Sequence, residues 1–266
     1  MSIPVFKPYL GAEELEACQM ALQRGYLGMG SFVGDFENEL STFLKLEERK
    51  HIVTCSTGHA ALHMALMLIG VGLDDEVITP SFNNIADFQA ITAVGAKPVF
   101  CDVLSDTLCI DPSRIERLVG PNTKAIIAMD YGACIADHRA IHKIADYHGI
   151  PVIHDAAHSF GSFYENKPIG HQAAFTMFSF DPIKNITCID GGALVVNSTE
   201  HAQKLREMRL IGMTQRTEKN YQNTRDWLYD VNTLGFRYHM ANLHAAIGSA
   251  QLKKSSEIFS KRRSIY

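Results

Sequence analysis

Met177-Phe178-Ser179-Phe180-Asp181-Pro182-Ile183-Lys184-Asn185-Ile186-Thr187, followed by Asp190-Gly191-Gly192-Ala193-Leu194-Val195-Val196-Asn197, is the stretch on which the reading of the chain turns. An apolar run ends at Phe180, Pro182 stops it, and a glycine pair opens the next apolar run. The connection from Asp181 to Gly192 carries no helix, so one of the two strands is expected to run antiparallel. Inside it stands a single lysine, Lys184, whose nearest acidic neighbour is Asp181 and whose flanks include Phe180, Ile183 and Ile186. Most lysines are solvated surface charges. Apolar flanks partly desolvate this one, which lowers its pKa and frees the amine to act as a nucleophile. Lys184 is therefore the expected site of a Schiff base.

Upstream, short apolar runs alternate with helical patterns. The runs are His51 to Cys55, Glu76 to Thr79, Pro98 to Asp102, Ala125 to Asp130 and Pro151 to His154, and they continue into Ala174 to Phe180 and Ala193 to Asn197. Helical stretches between them cover Ala60 to Ile69, Ala86 to Val94, Ser113 to Leu118 and Asp137 to Tyr147. Such alternation implies right-handed crossovers and an α/β fold of three layers, a mostly parallel seven-stranded sheet with helices on both faces. Before the first strand, Ala12 to Arg24 reads as a helix with Leu15, Cys18 and Leu22 on one stripe and Glu13, Glu14 and Glu16 where the helix dipole favours them. A glycine-rich break around Tyr26 leads to a second helix from about Val33 to Leu46. After Asn197 come helices over Glu200 to Leu210 and Leu243 to Gln251, with a polar, loop-like stretch from Thr214 to Asp226. The division expected is an N-terminal helical segment (1–50), an α/β cofactor-binding domain (51–235) and a helical start of a further C-terminal domain (236–266).

With 266 residues, 46% of them hydrophobic, the chain can bury a large core. A formal net charge of -4 and no long block of like charge argue against a nucleic-acid partner or an anionic membrane surface. No apolar run is long enough to span a bilayer, and no signal peptide is visible. Six scattered cysteines without a C-x-x-C pair read as reduced thiols of a cytoplasmic protein.

In open α/β sheets ligands bind at the carboxyl ends of the strands. Three groups fall there. Cys55-Ser56-Thr57-Gly58-His59 is a strand end, a glycine turn and a helix start, which aims backbone N–H groups of Gly58 and His59 at a phosphate. No G-x-x-x-x-G-K or G-x-G-x-x-G spacing occurs, which disfavours a nucleoside-triphosphatase and a simple dinucleotide oxidoreductase. Asp155 directly follows the apolar run that ends at His154, where a carboxylate needs a cationic partner such as a pyridinium N–H, and His158 three residues on can support it. Ser179 lies five residues before Lys184 as a hydroxyl donor to phosphate. Phosphate turn, strand-end carboxylate and desolvated lysine are the three attachments that pyridoxal 5'-phosphate requires. Histidine pairs at i, i+4 (His59/His63, His138/His142, His154/His158) lack the Glu of a zinc H-E-x-x-H, so no metal site is expected.

Together, Thr57-Gly58-His59-Ala60-Ala61-Leu62-His63, Asp74 to Phe82, Val94 to Asp102, His154-Asp155-Ala156-Ala157-His158, Phe178-Ser179-Phe180 with Lys184, Asp190-Gly191-Gly192 and Ala245-Ala246-Ile247-Gly248 with Gln251-Leu252 resemble sugar aminotransferases of the DegT/DnrJ/StrS type. The resemblance covers nearly the whole chain. It implies a fold-type-I pyridoxal-phosphate enzyme that moves an amino group from glutamate to a nucleotide-diphospho keto sugar, for cell-surface polysaccharide (lipopolysaccharide) or secondary-metabolite sugars. It further implies a homodimer with Lys184 as the cofactor lysine, Asp155 at the ring nitrogen, His158 beside the ring, and Ser179 and the Gly58-His59 backbone on the phosphate. In three places the chain departs from the family. Asn84 stands where the family has a ring-stacking aromatic residue, and Arg237-Tyr238-His239 replaces Asn-Tyr-Arg, so Arg237 becomes the expected phosphate ligand for a neighbouring subunit. Family members also continue into a small C-terminal domain past the position of Tyr266. That third departure carries the alternative expectation, a cofactor-binding member without turnover.

Overall fold

The computed structural model describes residues 6–132, 134–214 and 229–265. Seven strands form one sheet: β1 (His51–Cys55), β2 (Glu76–Pro80), β3 (Lys97–Cys101), β4 (Thr123–Met129), β5 (Val152–Asp155), β8 (Phe175–Ser179) and β9 (Gly192–Val196). A small hairpin, β6 (Phe163–Tyr164) and β7 (Lys167–Pro168), lies in the chain between β5 and β8. The sheet order is β1-β9-β8-β5-β4-β2-β3. Strands β2 to β5 and β8 pair in parallel, and β9 lies between β1 and β8, antiparallel to both. That is the antiparallel strand the helix-free connection requires.

Layering follows from side-chain alternation along the strands. In β4, Ala125 and Ile127 point to one face, where Leu62, Met64 and Leu66 of α3 (Gly58–Ile69) and Leu205 of α7 (Thr199–Met208) cover them. Ile126 and Ala128 point to the other and meet Ile141 and Ala145 of α6 (His138–His148). On that second face, Phe178, Phe180 and Val195 pack against Phe36 and Leu40 of α2 (Ser31–Phe43) and Ala245 of α8 (Asn242–Lys253). The remaining described helices are α1 (Ala12–Arg24), α4 (Ile85–Ala93), the single turn α5 (Pro112–Ile115) and α9 (Ser255–Ile265). The stretch from residue 215 to 226, expected as loop, lies outside the described residues.

In one helix the structure reverses the sequence reading. The stripe of Leu15, Cys18 and Leu22 on α1 is not the buried face: Leu15 and Leu22 are 73% and 57% exposed. Ala17 and Ala21 face inward instead, against Ala246 and Ala250 of α8. Small side chains let the two helices approach closely, and the buried Glu14 is satisfied by Lys254 Nζ at 2.6 Å, Gln251 Nε2 at 2.6 Å and its capping bond from Gly11 N.

Where β1, β8 and β9 meet, Gly192 pairs with both Cys55 and Ser179. A Cβ on Gly192 would fall 2.2 Å from the Thr57 carbonyl oxygen, so backbone would have to move. Gly192→Ala is expected to cost about 1–3 kcal/mol as an overpacked site, read as a lower urea midpoint at an unchanged m-value.

Candidate active site

The expected cofactor residues lie at the carboxyl edge of the sheet. At the end of β1, Ser56 N–H donates to the Tyr238 carbonyl at 2.6 Å, and Thr57, in extended backbone, caps α3 by accepting the Ala60 N–H at 2.9 Å. The first N–H groups of α3, from Gly58 and His59, have no acceptor within the helix and sit at its positive end. The His59 ring is engaged elsewhere, its Nδ1 3.0 Å from the Ala86 carbonyl of α4, so the side chain is turned from the turn it starts. Gly58 is required by closeness: a Cβ there would lie 2.8 Å from Ser179 Cβ and 3.1 Å from its Oγ. The hydroxyl of Ser179, at the end of β8, therefore adjoins the start of α3, the combination of donors that suits an anion.

Asp155 is the last residue of β5 and is 2% exposed. Its Oδ1 accepts the Ala157 N–H at 2.9 Å. Burial raises its pKa to about 6, against the pull of that N–H, of the Lys184 ammonium and of a bond from Asp87. Asp87, in the first turn of α4, is 1% exposed and accepts Asn83 Nδ2 at 2.5 Å through Oδ2. Burial and the Asp155 carboxylate hold it well above the usual carboxylate range.

Behind Asp155, the other side of β5 is braced by a buried polar cluster. Asp130 takes His138 Nε2 at 3.0 Å, His154 Nε2 at 2.7 Å, Ser159 Oγ at 2.6 Å and the Ala136 N–H at 3.0 Å. Burial opposes its charge, but His154 and His138 more than offset it and hold Asp130 far below the usual carboxylate range. His158 follows on the turn after β5. Its Nδ1 accepts the Gly132 N–H at 3.1 Å, which leaves the proton on Nε2, and burial next to Lys184 lowers its pKa to about 4. It is a neutral ring at physiological pH, and it meets the edge of Tyr131 with centroids 5.6 Å apart.

Lys184 lies in a tight turn, its N–H on the Asp181 carbonyl at 3.0 Å. Arg262 of α9 clamps the turn, Nη2 to the Lys184 carbonyl at 3.0 Å and Nη1 to Asn185 Oδ1 at 3.2 Å, while Asn185 Nδ2 donates to the Phe160 carbonyl at 2.9 Å. Burial lowers the Lys184 pKa, and Asp155, Asp181 and Asp87 oppose it. A larger fraction of free amine at neutral pH is the direction the chemistry needs. The residues fit pyridoxal phosphate: a helix start without a Cβ, a buried strand-end carboxylate and a desolvated amine.

Arg237 is not gathered into this group. It is exposed, its backbone bridges to Leu210, and no side-chain contact joins it to the other expected residues among those described. Asn84, at the departure from the family's aromatic, caps α4 by accepting the Ala86 N–H at 2.9 Å. The rings near the site are Phe82 and Tyr131, 5.0 Å apart. Sequence reading missed Asp87, Tyr131, Asn185 and Arg262. An acidic residue in a first helical turn reads as a dipole partner, and nothing local signals that α4 presses this one against Asp155.

Residues 8–266 match the profile of the DegT/DnrJ/EryC1/StrS aminotransferase family. Among solved structures, the aminotransferase TlmJ from Streptoalloteichus hindustanus is 31% identical over 96% of this chain and 67% of its own, with a TM-score of 0.86. PseC from Helicobacter pylori, an aminotransferase in pseudoaminic acid biosynthesis, is 27% identical over 96% of this chain and 66% of its own (TM-score 0.87). A Streptococcus pneumoniae protein designated a sugar aminotransferase, Spr1654, is 26% identical in its PLP form, over the whole of this chain and 70% of its own (TM-score 0.91). The chain thus spans about two thirds of the length of the proteins it resembles. The sheet and its helices are those of the fold-type-I enzymes, and the cofactor is pyridoxal 5'-phosphate. With helix start, carboxylate and lysine in place along one sheet edge and the profile matched from residue 8 onward, the chain belongs to the DegT/DnrJ/EryC1/StrS aminotransferase family.

Proposed function

We propose that this protein transfers an amino group from glutamate to the keto carbon of a nucleotide-diphospho sugar, as a homodimer in the cytoplasm. The observation that carries the reading is the placement of Lys184, Asp155 and the Gly58 turn along one sheet edge, with Lys184 and Asp155 close enough to perturb each other's ionisation. The exposed apolar residues Leu15 and Leu22 of α1 support a second copy of the chain covering that helix. The six free cysteines accord with a reducing compartment.

When bound, pyridoxal phosphate supplies an aldehyde that accepts an amine and a pyridinium ring that withdraws electrons. The chain does the rest. The N–H groups of Gly58 and His59 and the Ser179 hydroxyl bind the phosphate. Asp155 keeps the proton on the ring nitrogen, and the neutral His158 lies beside it without competing for that carboxylate. Lys184 Nζ would hold the cofactor covalently and, as a free amine, would move a proton at the substrate carbon. Arg237 is proposed to reach the phosphate of the neighbouring subunit.

Single-turnover mixing tests the donor. Glutamate added to the loaded protein is expected to convert the visible absorption band to a near-ultraviolet one with one equivalent of 2-oxoglutarate. A nucleotide-linked keto sugar, and not the free sugar, is expected to restore the band. An unchanged spectrum with glutamate would reject that donor, and equal use of the free sugar would reject the nucleotide link.

A further inference from the structure

Asp87 is a titratable group without a part in the chemistry described so far. It is 1% exposed, Asp155 is 2% exposed, and the two carboxyl groups adjoin closely enough to shift each other's ionisation. Two buried carboxylate anions side by side repel each other, so the pair holds one proton between them. The other contacts decide where it sits. Asp155 Oδ1 already takes the Ala157 N–H, which favours the anion there. Asp87 takes a single amide donor from Asn83, and Asp155 raises its affinity for the proton further. Asp87 is the acid of the pair and Asp155 the base.

We propose that Asp87 is a positioning residue of the cofactor site: as a neutral acid it donates its proton to the Asp155 carboxylate and holds that anion in one orientation toward the ring nitrogen. With Ala157 N–H and Asp87 O–H both on Asp155, its remaining lone pairs are left for one further donor, the ring N–H. Two fixed donors also draw charge from the carboxylate, so the ring nitrogen, and not Asp155, keeps its proton. Asn84 at the start of α4 makes the arrangement possible, because its cap sets the first turn that carries Asp87 inward. The groups that face the pair are Lys184 from the connection after β8, Asn83 from the loop before α4, and Asp130 with its two histidines behind β5.

The inference rests on the reading of Asp155 as the ring-nitrogen partner, and the test separates the two. Pyridoxal phosphate dissociation constants are measured from pH 6 to 10 for the wild type, Asp87→Asn, Asp87→Leu and Asp155→Ala, with melting of each unloaded protein as the control for folding. The asparagine amide donates as the protonated acid does and cannot ionise. Asp87→Asn is expected to bind within about 3-fold of wild type near neutrality, and to be the tighter binder at alkaline pH, where the wild-type pair becomes a dianion. Asp87→Leu, which leaves Asp155 short of a donor, is expected to weaken binding by about 10-fold or more. If Asp87→Leu does not fold, the Asp87→Asn profile decides alone. Parallel pH profiles for Asp87→Asn and wild type, or a weakening by Asp87→Asn as large as that by Asp87→Leu, would overturn the role of Asp87. Unchanged binding by Asp155→Ala would overturn the reading of the site beneath it.

Discussion

Alanine at position 184 is expected to remove the visible absorption band of the loaded protein and to lower amine transfer by about 10⁴-fold or more, the upper range for losing a positioned proton-transfer group. In the proposed function Lys184 carries two tasks, covalent attachment and proton transfer, and the turn that bears its partly buried amine is clamped by Arg262 on the Lys184 carbonyl. Arginine at the same position keeps the charge and most of the volume, yet a guanidinium does not deprotonate. Lys184→Arg should therefore fail as completely as Lys184→Ala. The measurement is the visible spectrum before and after borohydride, together with single-turnover transfer from glutamate. A borohydride-sensitive band in Lys184→Ala would assign the covalent role to another amine. Because burial lowers the lysine's pKa, wild-type transfer should rise as pH climbs through that lowered value, and an unshifted, strongly alkaline profile would contradict the desolvation argument.

For Asp155→Ala the expected loss is about 10³-fold in transfer, the scale seen when one preorganised electrostatic partner is removed from an active site. Without the carboxylate, the ring nitrogen has no anion to keep it protonated, so the electron sink fails even if the phosphate still binds. Stability gives an independent readout. A buried carboxyl whose folded pKa is raised from 3.8 to about 6 favours the fold while it is protonated, so its contribution is full below pH 3.8 and is lost as pH rises through 6. Unloaded wild type should accordingly lose stability over that window, and Asp155→Ala should lose less. Adding the cofactor reverses the order near pH 7.5, because the ring N–H neutralises the charge only in wild type. The rise in melting temperature on saturation with pyridoxal phosphate should be larger for wild type than for Asp155→Ala, and equal rises would argue against the assignment.

Much of this was legible from local pattern. The alternation of runs along β1 to β5 encodes parallel strands, because a strand covered on both faces must be apolar throughout. The connection from Asp181 to Gly192 is too short for a crossover helix, which is enough to predict an antiparallel β9. Boundaries shifted by a residue or two, as where Asp155 proved to be the last residue of β5 and not the first after it. Helix α5 shortened to one turn. The face of α1 was misread because periodicity reports which side is apolar, whereas the choice between Leu15 and Ala17 as the inner residue depends on how closely α8 approaches.

Lys184, Asp155 and Gly58 could be picked out from sequence alone, since each stands at an apolar run or glycine turn whose chemistry is local: a desolvated amine, a strand-end carboxylate, a helix start without a Cβ. That information is carried by immediate neighbours, and it was sufficient for fold class and cofactor. Only the tertiary structure decided which side chains meet at and behind that edge, across 8 to 78 positions of chain. It brought Asp87 of α4 against Asp155, Asp130 onto both His138 and His154, and Arg262 of α9 onto the Lys184 turn. Such contacts depend on the strand order β8-β5-β4-β2, which sets which loops converge at the sheet edge. Burial at that edge then turns an ordinary first-turn aspartate into a proton-sharing acid.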